Sequence, residues 1–171
     1  MMNSLFTSRM LYLAIFLACA ALLGYAFYLQ HVEYLEPCPL CIFQRIAFFF
    51  IAGAALIGAI HGPGRGGALV YTGLIAAGAL AGVGVAGRHL WLQSLPPDQV
   101  PACGPGLEYM VEQFPLSEVL AMVFTGSGSC ATIDWSFLGL SMPAWTLIWY
   151  LLLLIAGFIA LQRARRSQSN G

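Results

Sequence analysis

Four apolar runs of about twenty residues dominate the chain, at Leu11–Leu29, Ile42–Ile60, Ala68–Gly87 and Ala144–Gln162. A helix of about 20 residues rises about 30 Å, the thickness of a bilayer's hydrocarbon core. Helices satisfy their own backbone in lipid, so each run predicts a membrane-spanning helix. The third is rich in small residues, among them Gly73, Gly78, Gly82 and Gly84, which let helices approach closely and predict a place at the bundle centre. Between the second run and the third lies a short Gly-Pro-Gly turn. Between the third and fourth lies a long segment, 88–143, broken by Pro96, Pro97, Pro101, Pro105 and Pro115. Within it Leu116–Phe124 is apolar at helical spacing but too short to span, which predicts a helix lying on the membrane surface.

Composition agrees with lipid as the main solvent. Of 171 residues 60% are hydrophobic and 8% charged, and the mean hydropathy is +0.81. A soluble domain carries roughly a quarter charged residues. Net charge is zero, which gives no electrostatic reason for a nucleic-acid partner. The expected fold is an all-α membrane protein, a four-helix transmembrane bundle in one domain over residues 1–171. Arg9 and the apolar run behind it resemble a cleaved signal peptide, but cleavage near Cys19 would leave a stub too short to span.

The sign of the charges orients the bundle. Arg9, Arg65, Arg163, Arg165 and Arg166 fall in segments 1–10, 61–67 and 163–171, all on one face. The positive-inside rule makes that face cytoplasmic, with both termini inside. Segments 30–41 and 88–143 are then external, and they hold all seven acidic residues. Cys38, Cys41, Cys103 and Cys130 lie in these outer segments, where disulfides persist, and Cys19 lies mid-membrane as a small packing residue. Four cysteines allow three pairings. Cys38–Cys41 with Cys103–Cys130 is the simplest, because each loop then closes on itself.

The two pairs differ in chemistry. Closing the 103–130 loop would stabilise the fold by roughly 3–4 kcal/mol, a sufficient structural role. A C-x-x-C bridge constrains little chain and is strained, as exchange-competent disulfides are. A zinc site lacks its second C-x-x-C, and a thioredoxin site lacks the βαβ pattern. In EPCPLCIFQR, Pro39 suits the first turn of the second helix, so Cys41 meets the unpaired N–H groups that favour a thiolate. Arg45 lies one turn further on, on the same face, inside the lipid boundary. An ionisable group there is costly and points to function rather than to snorkelling. The sequence has no haem, dinucleotide or iron–sulfur motif to take two electrons from a dithiol. A thiol at the lipid edge can meet a mobile quinone, and His89 at the outer end of the third run is a candidate donor to a quinone oxygen.

The strings QHVEYLEPCPLCIFQR and GSGSCATIDWSFLGLSMPAW, with the four runs and the two cysteine pairs, resemble the DsbB family of bacterial inner-membrane disulfide-generating enzymes. The resemblance covers nearly the whole chain. It implies reoxidation of DsbA, a soluble periplasmic thioredoxin-fold oxidant, with electrons passing to ubiquinone, or to menaquinone without oxygen, and no metal. Carried onto this sequence, it implies a mixed disulfide at Cys103, exchange of Cys130 with the Cys38–Cys41 pair through Cys38, and a Cys41 thiolate beside Arg45 that donates to quinone. Gln44 stands where some members carry an acidic residue. Two other readings fit parts of the pattern: a quinone-linked reductase of the vitamin K epoxide reductase type, and a tetraspan protein with purely structural disulfides.

Overall fold

A computed structural model describes residues 2–96, 98–100, 107–126 and 128–169. Cys103 lies outside the described residues. The expected all-α architecture is borne out. Four long helices make the bundle: α1 (Met2–His31), α2 (Pro39–His61), α3 (Arg65–Gln93) and α7 (Met142–Ser169). Each is long and apolar enough to cross a membrane, over Ser8–His31, Pro39–His61, Gly66–Gln93 and Met142–Arg166. The helices outrun the apolar stretches because a helix continues past the hydrocarbon edge until a cap stops it. Gly62 stops α2 in the left-handed conformation (φ 58°), its N–H returning to the Gly58 carbonyl. Arg9 adds a second stop, donating to the Ala59 and Ile60 carbonyls at 3.0 and 3.1 Å.

The helices neighbour one another in the ring α1–α2–α3–α7–α1. This corrects the expectation for the third span: α3 occupies a corner, flanked by α2 and α7, and is not central. Its small residues do serve close approach. A Cβ on Gly82 would stand 2.3 Å from Tyr150 Cζ, and one on Gly78 would stand 2.8 Å from Phe50. Tyr150, fully buried, stacks on Phe48 with ring centroids 4.4 Å apart, bridging the α2–α7 diagonal. Cys19 is fully buried in the same core cluster as Tyr12, Phe48 and Tyr150. Overpacking a tight contact costs about 1–3 kcal/mol. Gly82→Ala should therefore lower the unfolding midpoint of the detergent-solubilised protein by several degrees. An unchanged melting curve would show that Tyr150 has room to yield.

The end of the bundle that carries Cys38 is built from shorter elements: α4 (Leu107–Gln113), α5 (Leu116–Thr125), α6 (Gly128–Ala131) and a hairpin of β1 (Ser136–Phe137) and β2 (Leu140–Ser141). α5 occupies the segment expected to be helical. It buries Val119 and Val123 against Leu40, Leu92 and Cys130, and leaves Leu116 and Phe124 exposed. Arg88 ties it down, donating to the Phe124 and Thr125 carbonyls at 2.8 and 2.9 Å while its guanidinium lies 4.1 Å from the Trp91 ring centre. Gly126 follows with φ 90°, where a Cβ would stand 2.5 Å from Leu92 Cδ1, so only glycine fits. The hairpin was not expected. Leu138 and Gly139 both take positive φ, 52° and 78°, the turn that matches strand twist. It pairs Phe137 with Leu140, and Trp145 Nε1 donates to the Phe137 carbonyl at 3.1 Å, seating the hairpin on α7.

Candidate functional site

The C-x-x-C pair forms the start of α2. Cys38 is the N-cap residue, in extended backbone, and Pro39 occupies the first turn, where no N–H is needed. The Cys41 N–H donates to Cys38 Sγ at 3.4 Å, so a sulfur does the work of the usual capping oxygen. The two sulfurs stand 3.0 Å apart, with the Cys38 thiol donating to Cys41 Sγ. The sequence places these two cysteines on one helical turn, and the cap geometry sets their separation.

Arg45 turns toward α1 rather than out to the headgroups. Its guanidinium donates to Gln30 Oε1 and to the Ala26 carbonyl (3.1 Å for the latter), and it lies 5.2 Å from the Phe27 ring centre. A charge held by fixed acceptors inside an apolar region is available to a neighbouring anion. His89 reaches the same place from α3. Its Nε2 is 3.8 Å from Cys38 Sγ and its Nδ1 is 3.2 Å from Gln44 Nε2. Cys130, fully buried in α6, packs in the cluster that Cys38 borders, and its backbone faces the His89 ring. The structure thus brings together Cys38, Cys41, Arg45, His89 and Cys130, five of the six residues singled out in the sequence.

Two cavities meet at this cluster. The outer one, about 70 Å³, is lined by Cys38, Cys41, Arg45 and His89 with Gln93, Asp134 and the segment around Trp135. The second, about 240 Å³, lies between α1, α2 and α7. It is lined by Cys41, Gln44 and Arg45, by Phe48, and by Trp135, Trp145 and Trp149. Cys41 and Arg45 belong to both walls, whereas Cys38 and His89 border the outer cavity alone. His89 therefore sits beside the cysteine pair and lines the outer cavity rather than the apolar chamber. Of the phenylalanines that follow the motif, Phe48 lines the chamber, while Phe49 and Phe50 are exposed on the lipid side.

The chamber is apolar and aromatic, with its polar groups at one end. Indole and phenyl faces offer stacking surface, and a guanidinium and a thiol stand together at one end, where a carbonyl oxygen would need a donor. Cys38, Cys41 and His89 also form a soft-metal type of grouping, with ligand atoms within 4.8 Å of one another. As arranged they favour hydrogen bonding. Sulfurs 3.0 Å apart are closer than two Zn–S bonds of about 2.3 Å at a tetrahedral angle allow. Sequence reasoning noted Gln44 only as a departure from the family pattern, and missed Thr146 and the three tryptophans. Gln44 alone carried a local signal, a polar residue inside an apolar run, and it is 3% exposed.

Comparison with known proteins agrees with this architecture. The family profile described as Disulfide bond formation protein DsbB matches residues 8–160. The chain is 58% identical over 142 residues to Disulfide bond formation protein B of Hahella chejuensis, covering 83% of this chain and 86% of that one. It is 53% identical over 152 residues to the protein of the same name from Nitrosococcus oceani, covering 89% and 88%. With that of Aromatoleum aromaticum the identity is 48% over 166 residues, covering 97% and 98%. With a four-helix bundle, a cysteine pair capping its second helix and a match along nearly its whole length, the chain belongs to the DsbB family of disulfide bond formation proteins.

Proposed function

We propose that the protein is a thiol:quinone oxidoreductase of the bacterial inner membrane, with both termini cytoplasmic. It reoxidises a periplasmic DsbA-like thioredoxin-fold protein and passes two electrons to ubiquinone, or to menaquinone without oxygen. The observation that carries this reading is the position of Cys41 and Arg45 in the wall shared by a small cavity bordering Cys38 and an apolar chamber. A redox pair built only to brace a loop has no need of an apolar chamber behind it.

The residues divide the work. The reduced partner attacks the Cys103–Cys130 disulfide at Cys103 and leaves Cys130 as a thiolate. Cys130 then attacks Cys38 Sγ: the Cys130–Cys38 bond forms, the Cys38–Cys41 bond breaks, and the electron pair leaves on Cys41. Burial of Cys130 beside Cys38 supports this route. The helix N-terminus and Arg45 favour the anion on Cys41. Quinone, held between the tryptophans with Arg45 at its carbonyl end, supplies the two-electron acceptor.

Cys130→Ala tests the loop step. It leaves Cys103 as a lone thiol with no neighbouring sulfur to displace what it binds, so incubation with a partner that keeps only its attacking cysteine, activated as the thionitrobenzoate mixed disulfide, should give a stable mixed disulfide with Cys103 as thionitrobenzoate leaves, visible as a reductant-sensitive band on a non-reducing gel. A trapped species through Cys38, or none at all, would overturn the assignment.

A further inference from the structure

Behind the cysteine pair runs a chain of hydrogen bonds that begins on α7. The Thr146 hydroxyl donates to Gln44 Oε1 at 2.7 Å, and Gln44 Nε2 faces His89 Nδ1 at 3.2 Å. His89 Nε2 in turn faces Cys38 Sγ at 3.8 Å. Gln44 and His89 are each 3% exposed, so water has little access to these groups. The Gln44 backbone is held too, its carbonyl accepting from the Tyr150 hydroxyl at 2.7 Å.

The direction of the chain follows from proton counting. Thr146 has one hydroxyl proton and two neighbouring acceptors, Gln44 Oε1 and, at 2.9 Å, the Pro143 carbonyl. Pro143 lies in the first turn of α7, where the N–H four residues on serves its carbonyl. Gln44 Oε1 has no such helical donor, and it makes the shorter contact. With its oxygen committed to Thr146, the amide presents N–H to His89 Nδ1. A neutral imidazole that accepts at Nδ1 carries its proton on Nε2. That proton faces Cys38 Sγ, with the Cys130 backbone as the ring's other polar neighbour.

We infer that Gln44 is a positioning residue for the disulfide chemistry, fixing His89 as the Nε2–H tautomer so that the ring donates a hydrogen bond to Cys38 sulfur. Cys38 Sγ then has two N–H donors, His89 Nε2 and the Cys41 backbone. Both matter when Cys38 carries charge. After exchange, the Cys103 thiolate attacks Cys130 in the Cys38–Cys130 bond. The Cys103–Cys130 bond forms, the old bond breaks, and the pair leaves on Cys38. Cys38 then closes on Cys41, and the two electrons released pass to the quinone of the proposed function, on which this inference rests. A stabilised leaving thiolate departs faster. Losing one charge-assisted hydrogen bond should slow that departure roughly tenfold to a hundredfold.

The test reads the tautomer directly. The chain has three histidines, His31, His61 and His89. In protein carrying ¹⁵N-histidine, reduced and in detergent, long-range ¹H–¹⁵N spectra distinguish Nδ1–H from Nε2–H, and His89→Asn identifies the signals. The expected result is Nε2–H at His89 in the native chain and a mixed population in Gln44→Met, which keeps the volume and removes the amide. Thr146→Val frees the amide to turn and should shift His89 toward Nδ1–H, giving a second route if Gln44→Met does not fold. In parallel, Gln44→Met should lower the rate of Cys38 alkylation in a Cys41→Ser background at fixed neutral pH. An Nδ1–H tautomer in the native chain, or a tautomer unmoved by both substitutions, overturns the inference. None of these measurements contains quinone, so they stand or fall separately from the acceptor assignment.

Discussion

Cys41→Ser is expected to reduce quinone-dependent oxidation of a thioredoxin-fold dithiol to the uncatalysed rate, while the protein stays folded and inserted. A hydroxyl in place of the Cys41 sulfur removes the one thiol, among the described residues, that lines both cavities. Cys41 is half-buried, and its Sγ takes part in one short contact, with Cys38, so the bundle loses little packing. Cys38→Ser should be equally inactive, because either substitution removes the Cys38–Cys41 disulfide that Cys130 must attack. The two variants behave alike when mixed with reduced partner. In both, the partner still attacks the outer loop disulfide and the mixed species forms, but no electrons move on. Measurable quinone-dependent turnover in Cys41→Ser would mean that electrons leave through another group.

The second large effect is expected at Arg45. Its guanidinium ties α2 to α1 through Gln30 and the Ala26 carbonyl, and it stands at the end of the apolar chamber beside Cys41. Arg45→Met keeps the bulk and removes the charge and both bonds. A lost charge-assisted hydrogen bond to a bound carbonyl should raise the quinone KM by roughly tenfold to a hundredfold. Arg45→Lys keeps the charge but cannot span two acceptors, so it should fall between the two. Steady-state kinetics over a range of quinone concentrations, at saturating partner, provide the check. Equal quinone KM values in all three proteins would make Arg45 a brace between helices and nothing more.

Much of this arrangement is legible in the sequence, for physical reasons. Lipid imposes a length and a polarity on each span, so hydropathy alone finds α1, α2, α3 and α7. Charge then separates the two faces, and Pro39 marks where α2 starts. The reading fails where partners are remote. Gln44 meets Thr146 across the bundle, and no local pattern announces that pairing. Trp145 and Trp149 come to the chamber on α7, whereas Trp135 arrives beside the hairpin at Ser136–Ser141, whose two-residue strands are too short for alternation to register and whose turn uses a leucine at positive φ. The small residues of α3 correctly signal close approach, but smallness has no direction. Gly82 is small because Tyr150 presses on it from α7, which places α3 at a corner of the ring. His89 was found by its type and its place at the helix end. Its neighbours, Cys38 and Gln44, are a matter of tertiary packing.

The central claim is that electrons from a thioredoxin-fold dithiol leave through Cys41 into a quinone. The most direct measurement is a single-turnover reaction of the purified, detergent-solubilised protein with reduced partner, without oxygen, with and without a short-chain ubiquinone. Dithiol oxidation and hydroquinone formation are followed together. The account predicts one hydroquinone formed for each partner disulfide, with no oxidation beyond the protein's own disulfides when quinone is left out. Partner oxidation that proceeds equally without quinone, or hydroquinone that fails to appear in step with it, would contradict the account.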